Sequence, residues 1–522
     1  MSALLQRLNR PIVAILAVAA LAGIARGWAL ANPPDLVFDE VYYAKAGCIF
    51  VGGSDQTCRI DEDAEHYWVE HKWDVGSWVH PPLGKWMTGM GIKAFGMGAF
   101  GWRFPSAVAG TLIAVMVAVI AQLLFGRPLW TFVAGGLIAL DGLNVVMSRV
   151  AMLDIHLAFW AVLGFLCLVL DRRWIDRRTE RALADEPVQT VTVVGEDGAT
   201  VLVEGRAGAA GRGRTRVPSP LWRPWRFASG AAMGAACAVK WSGLTALAAA
   251  VLVTVVWETT RRHVPGVSRW RAFWRTVGME LLGLILAFLV VPAIVYMATW
   301  LPWFNHFGWS LSAWWENQKE MWRYHANLTE FAYDSKTDSF TPTHGSYSKA
   351  WSWILMKRPV NFFVENTTGH VRQILTIGNL ALFWGTVFAI PYAVWSWART
   401  RDWRAGFVVM PFLVMWLPWF VVSRPQFFFY VLPMTPFMAL AAVYTLQALS
   451  DARLVLHDEA GEVAIDPETG RPAISTRHPF RPVVMGYLAI FVVLFVWFWP
   501  LLVGERLTTS FRALHIWMRS WN

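Results

Sequence analysis

Charge is what this 522-residue sequence has least of. Asp, Glu, Lys and Arg make up 16% of it, against roughly 25% in a soluble domain. So few charges exclude an intrinsically disordered chain, which needs them to stay solvated, and an ordinary water-soluble globule. Cysteine is equally scarce. There are four, none in a CxxC pair and none with the His/Cys spacing of a metal centre, so no metal site is expected. The sequence shows no internal repeat of the kind that builds secondary transporters, which counts against the membrane-transporter alternative.

What is present is apolar and aromatic: 56% hydrophobic residues and 33 tryptophans. Indole has an apolar body and one N–H that wants a partner, so it collects where hydrocarbon meets water. The composition describes an all-α polytopic integral membrane protein. A crossing needs about 20 predominantly apolar residues, and that criterion finds eleven candidate spans. They lie near 11–31, 104–125, 129–147, 153–171, 227–240, 243–258, 277–298, 376–397, 405–422, 427–448 and 483–503. The whole chain reads as one membrane domain.

Arg and Lys near span ends set the orientation. Arg7 and Arg10 precede the first span and place the N-terminus in the cytoplasm. Counting alternately makes 172–226, 259–276, 398–404 and 449–482 cytoplasmic, where Arg172, Arg173, Arg261, Arg262, Arg399 and Arg401 lie. The net charge of +10 is thereby explained by topology, with no call for nucleic acid as a partner. The C-terminus falls outside. A competing reading takes the first span, ending in Ala29-Leu30-Ala31, as a cleaved signal peptide. The segment 184–220, rich in Gly, Ala and Arg from Gly205 to Gly213, reads as a flexible insert, and 457–474 as a short polar hairpin.

Two outward loops, 32–103 and 299–375, are long enough to carry chemistry. The first holds Asp35, Asp39, Glu40, Asp55, Asp61, Glu62, Asp63, Glu65, Glu70 and Asp74. It also holds Cys48 and Cys58, which form a disulfide if the loop faces an oxidising compartment. In Phe38-Asp39-Glu40-Val41-Tyr42-Tyr43, adjacent carboxylates beside a low-dielectric boundary suit a general base and a substrate-orienting partner. A solvated acidic loop entry is the bland alternative. His80-Pro81-Pro82-Leu83-Gly84-Lys85 ends the loop on a rigid backbone. Lys85, Arg103, Arg149, Lys240 and Arg424 all fall by topology at the same outer face, with Asp154 near them. Singly each would be a snorkelling anchor. Together they suit a phosphate, since guanidinium forks bind it bidentately and ammonium groups add point charge. A phosphate at that depth belongs to a lipid.

These segments, FDEVYYAK at 38–45, HPPLGKW at 80–86, WRFPS at 102–106, SRVAMLD at 148–154, VKWSG at 239–243 and RPQFFFYVLP at 424–433, resemble the protein O-mannosyltransferases. They follow the family order through most of the membrane region, and the Arg-rich cytoplasmic loop is similar to that of actinobacterial members. The resemblance implies a GT-C glycosyltransferase architecture with two large extracytoplasmic loops in the cell membrane. It implies mannose transfer from a polyprenyl-phosphate-mannose lipid to Ser or Thr of secreted polypeptides, by inverting displacement and coupled to the Sec translocon. By the same match, Asp39 is the candidate base and Glu40 an acceptor-contacting carboxylate. Arg103, Lys240 and Arg424 are carried over toward the donor phosphate, with Arg149 and Lys85 beside them. His80, Asp154 and Tyr43 carry over as framework. Eukaryotic members place a β-trefoil MIR module in an outer loop, and 299–375 is too short for one. Acceptor recognition is then expected from its aromatics, Trp314, Trp322, Tyr324 and His344. No cofactor is required, because a cation-held phosphate is already a good leaving group; a divalent ion shared by Asp39, Glu40 and Asp154 is not favoured. The runner-up is a related lipid-phosphate glycosyltransferase acting on a lipid or polysaccharide acceptor.

Overall fold

A computed structural model describes residues 10–60, 62, 79–184, 188–194, 200–206, 219, 221–263, 268–329, 331–334, 339–342, 345–457, 463–466 and 471–521. Asp61, Asp63, Glu65, Glu70, Asp74, His344 and residues 207–213 of the Gly-rich stretch lie outside the described residues.

The chain enters through α1 (Pro11–Gly27), with proline at its first turn, where no amide partner is lost. Two short helices follow: α2 (Glu40–Phe50) and α3 (Leu83–Phe95). Then come α4 (Ala99–Phe125), the pair α5 (Pro128–Ala139) and α6 (Gly142–Arg149), and α7 (Leu153–Ala184). A left-handed Gly126 stops α4, and the Asp141 carboxylate caps α6 by accepting from the Asn144 amide. After the hairpin β1 (Val188–Val194) and β2 (Thr200–Arg206), α8 (Pro224–Val239) and α9 (Gly243–Arg262) meet at an extended Lys240. The long α10 (Arg269–Thr299) contains one π turn at Leu286–Val290.

The second large loop holds α11 (Leu301–Phe307), α12 (Leu311–Asn327) and two hairpins, β3 (Phe331–Asp334) with β4 (Ser339–Pro342) and β5 (Asn361–Thr367) with β6 (His370–Leu375). The bundle closes with α13 (Leu380–Thr400), α14 (Trp403–Trp416), a 3-10 segment at Phe428–Met434 leading into α15 (Thr435–Asp451), and α16 (Arg481–Val503). Strand β7 (Arg506–Thr508) then joins β6, giving a three-stranded antiparallel sheet in the order β5-β6-β7.

Helices stand at all eleven expected places, yet the count of eleven crossings is not confirmed. Among the described residues eight helices are long and apolar enough to span, or nine if α5 and α6, bent by 57°, are one. The remaining two are short: α1 has 17 residues and α8 has 16. The segment 184–220, expected as a flexible insert, contains a strand pair. Residues 188–194 and 200–206 pair as an antiparallel ladder, because Val-Gln-Thr-Val-Thr-Val-Val has the β-branched alternation of a strand. Isolated bridges, His457 to Val463 and Ile465 to Pro472, give the polar tract its hairpin form.

Small residues set how closely the elements behind the first loop approach. A Cβ on Gly89 of α3 would lie 2.4 Å from the Gly47 carbonyl oxygen of α2. The two short helices therefore touch backbone to backbone. A disulfide between Cys48 and Cys58 ties the end of α2 to the turn beyond it.

Candidate active site

At one end of the bundle the starts of α2, α3 and α7 meet the end of α8 and the segment before α15. Between them lies a cavity of about 530 Å³, within the range of small-ligand sites. Asp39, Tyr43, His80, Lys85, Lys240, Tyr324 and Arg424 line it. These come from five separate stretches of sequence.

Asp39 occupies the N-cap of α2, behind a Phe38 held at positive φ. A phenylalanine in that conformation is strained, and its ring is fixed by stacking on Phe362 at 4.4 Å. The strain turns the chain sharply into α2 and presents Asp39 to the cavity. Burial raises the Asp39 carboxyl to about 6, against the opposing pull of Lys240; Asp154 adds to the rise and a hydrogen bond with Tyr43 reduces it. A base poised there is mostly ionised at neutral pH.

Lys240 donates to both Asp154 oxygens, at 3.0 and 3.1 Å. Its ammonium also lies 4.5 Å from the Tyr430 ring centre. Arg424 donates to His325 Nδ1 at 2.8 Å and to the Tyr430 hydroxyl at 3.4 Å. Its Nε–H is buried without a partner among the described residues. Lys85 donates to the His80 carbonyl at 3.0 Å, and burial pushes its ammonium down to about 7. His80 stacks on His325 at 5.1 Å. Burial, with the nearby cations, keeps both imidazoles neutral, His325 at about 4 and His80 well below its usual value. A neutral His325 accepts from Arg424 at Nδ1 and donates Nε2–H to the Val79 carbonyl at 2.8 Å, which fixes its tautomer. The wall therefore carries three basic side chains near two carboxylates, with both histidines uncharged.

Other expected site residues face elsewhere. The structure does not bring Glu40, Arg103 or Arg149 to the cavity wall. Glu40 is fully buried, and Arg103 grips it with Nε to Oε1 and Nη2 to Oε2, each 2.8 Å. Its oxygens also accept from the Val37 and Ala151 amides, at 3.0 and 2.9 Å. Arg103 further donates to the carbonyls of Leu30, Pro33 and Asp35. This pair is a clamp on the turn that delivers Asp39, and both Glu40 oxygens are taken up in it. Arg149 spends its guanidinium on the carbonyls of Arg26, Trp28 and Ala29, the open end of α1. Among the described residues no three His, Cys, Asp or Glu side chains gather as a metal site.

Of the aromatics expected to form a peptide groove, Tyr324 lines the cavity. Trp322 is exposed and tilted against Trp241. Trp314 packs against Trp300 and Tyr296 beneath the loop. Sequence reasoning passed over His325 and Tyr430, which hold Arg424 from two sides. Each stood beside a quoted residue, His325 after Tyr324 and Tyr430 within the RPQFFFYVLP run.

Residues 16–182 match the family described as dolichyl-phosphate-mannose-protein mannosyltransferase, and 310–521 match the C-terminal four-transmembrane region of protein-O-mannosyltransferase. The chain belongs to the protein O-mannosyltransferase family. It is 30% identical, over 97% of its own length and 92% of the relative's, to the polyprenol-phosphate-mannose–protein mannosyltransferase of Mycolicibacterium smegmatis. To the protein of that name in Mycobacterium tuberculosis it is 28% identical over 93% and 86%. The S. cerevisiae protein O-mannosyltransferase Pmt1-Pmt2 complex bound to the sugar donor shares the fold. Its TM-score is 0.66 at 13% identity, covering 98% of this chain and 92% of that one. As a family member this chain is a membrane glycosyltransferase of GT-C fold.

Proposed function

We propose that this protein O-mannosyltransferase transfers mannose from a polyprenyl-phosphate-mannose lipid to Ser or Thr hydroxyls of polypeptides. The observation that carries the reading is one cavity lined by Asp39 together with Lys85, Lys240 and Arg424. Asp39 takes the hydroxyl proton as the acceptor oxygen bonds to the anomeric carbon. The bond from that carbon to the phosphate oxygen breaks, and the lipid phosphate leaves with the electron pair. A single displacement of this kind inverts the anomeric centre. Arg424 presents a buried Nε–H with no other partner among the described residues, suited to one phosphate oxygen. Lys240, oriented by Asp154, and Lys85 supply further positive charge. Such preorganised charge acts where the leaving group develops its own. Glu40, Arg103 and Arg149 work at one remove, by holding the 28–40 turn.

Orientation follows from where the arginines lie. Arg261, Arg262, Arg269, Arg399, Arg401 and Arg404 sit at the helix ends away from the cavity. By the positive-inside rule that end is cytoplasmic, and the cavity opens extracytoplasmically in the cell membrane. A position there suits acceptors emerging from the Sec translocon. The test is Asp39→Asn in membranes, given polyprenyl-phosphate mannose and a Ser/Thr-rich peptide. Turnover is expected to fall about 10²–10⁴-fold with donor binding retained. Wild-type turnover at equal protein level would sink the assignment of Asp39 as base.

A further inference from the structure

A second cavity, of about 320 Å³, opens at the opposite end of the bundle. Helix α9 connects the two sites: it begins three residues after Lys240 and runs 20 residues to Arg262, a rise of about 30 Å. The far cavity lies between the end of α9, the start of α10 and the α13–α14 turn, and the chemistry assigned to the active site makes no use of it.

Its wall combines three things. Arg269 and Arg401 both line it and form no ion pair among the described residues. Their neighbours differ: Arg261 and Arg262 are taken up by Glu258 and Glu280, and Arg404 by Asp402. Second, two residues of the wall, Trp257 and Thr259, carry buried hydrogen-bonding atoms, Nε1 and Oγ1, that have no partner among the described residues. Leaving a buried hydrogen-bonding group unpaired is costly, so two of them on residues of one cavity wall point to a ligand toward which they can turn. Third, Trp397 and Trp403 supply apolar wall around these donors. On the outside of the same end Trp270, Trp274 and Trp395 are more than half exposed, the placement indole takes at a bilayer interface.

Two unpaired cations and two orphan donors fit a phosphate. The apolar wall and the interfacial tryptophans select a phosphate that carries acyl chains. We infer that this cavity holds the headgroup of an anionic phospholipid from the leaflet opposite the active site. Arg269 and Arg401 contact the phosphate oxygens, and Thr259 and Trp257 donate to the headgroup. The assignment is independent of the glycosyl-transfer reading.

The full chain, purified in detergent and transferred to phosphatidylcholine nanodiscs, provides the test. Native mass spectrometry is expected to show about one phosphatidylglycerol retained per protein, undisturbed by millimolar inorganic phosphate. Arg269→Gln/Arg401→Gln should reduce that occupancy at least tenfold, and Thr259→Val severalfold, at unchanged thermal midpoint. Three results would overturn the inference: equal occupancy in the double variant, no preference for phosphatidylglycerol over phosphatidylcholine in the wild-type chain, or displacement by inorganic phosphate. The last would identify a free-anion site instead. The wild-type measurements stand even if a variant fails to fold.

Discussion

Glu40→Gln separates holding from chemistry. Glu40 and Arg103 are 0% and 1% exposed, and Glu40 is the only carboxylate that the described contacts place against that guanidinium. Removing its charge strands Arg103 in the interior, a change that costs about 3–5 kcal/mol. The glutamine amide also turns a donor toward one Arg103 N–H and one backbone amide, that of Ala151 or that of Val37, since only one of its two head atoms accepts. The 30–40 turn should then loosen and Asp39 lose its place. Thermal unfolding in detergent and turnover with polyprenyl-phosphate mannose are measured together. The expected result is a midpoint lowered by about 3–10 °C, scaling from soluble domains to a chain of this size, with turnover falling alongside it. Arg103→Gln should behave alike, and the double variant should lose about 2 kcal/mol less than the two singles added, the mark of coupled neighbours. A Glu40→Gln protein that unfolds at the wild-type midpoint yet has lost turnover would refute the clamp. Glu40 would then act on the substrate itself.

Three further outcomes follow from the same structure. Because the Asp39 carboxyl titrates at about 6 and only its ionised form accepts a proton, turnover should fall about tenfold per pH unit below 6, and it should decline again above neutrality as the Lys85 ammonium, at about 7, loses its charge; a profile flat to pH 5 contradicts this. Gly89→Ala forces a methyl to within 2.4 Å of the Gly47 carbonyl, so α2 must shift; about 1–3 kcal/mol of stability and most activity should be lost, whereas Gly98→Ala, with open space around it, serves as the neutral control. Cys48→Ser/Cys58→Ser opens a link spanning 10 residues and should lower stability by about 2.5–3 kcal/mol, read as a lower thermal midpoint that the wild type reproduces under reductant.

The membrane class and the positions of the helices were legible in the sequence, since hydropathy over 20 residues reports directly on solvent. So were Asp39, Lys240 and Arg424, because an ionisable group beside an apolar run is costly without a purpose. The pairing of 188–194 with 200–206 was not read from composition, though local alternation marks both strands. The number of crossings is less legible, because among the described residues α1 and α8 are apolar but shorter than a full span.

Sequence alone settled solvent, family and which residues are chemically able. It could not divide the cations by task. Arg103 and Arg149 looked equivalent to Arg424 in a linear reading, all basic and all at one face. Only the folded chain sets Arg103 against Glu40, Arg149 against the end of α1, and Arg424 between His325 and Tyr430. The reason is distance along the chain. Arg103 meets Glu40 across 63 residues and Arg424 meets His325 across 99, and a guanidinium's role is set by which acceptor packing brings within 3 Å.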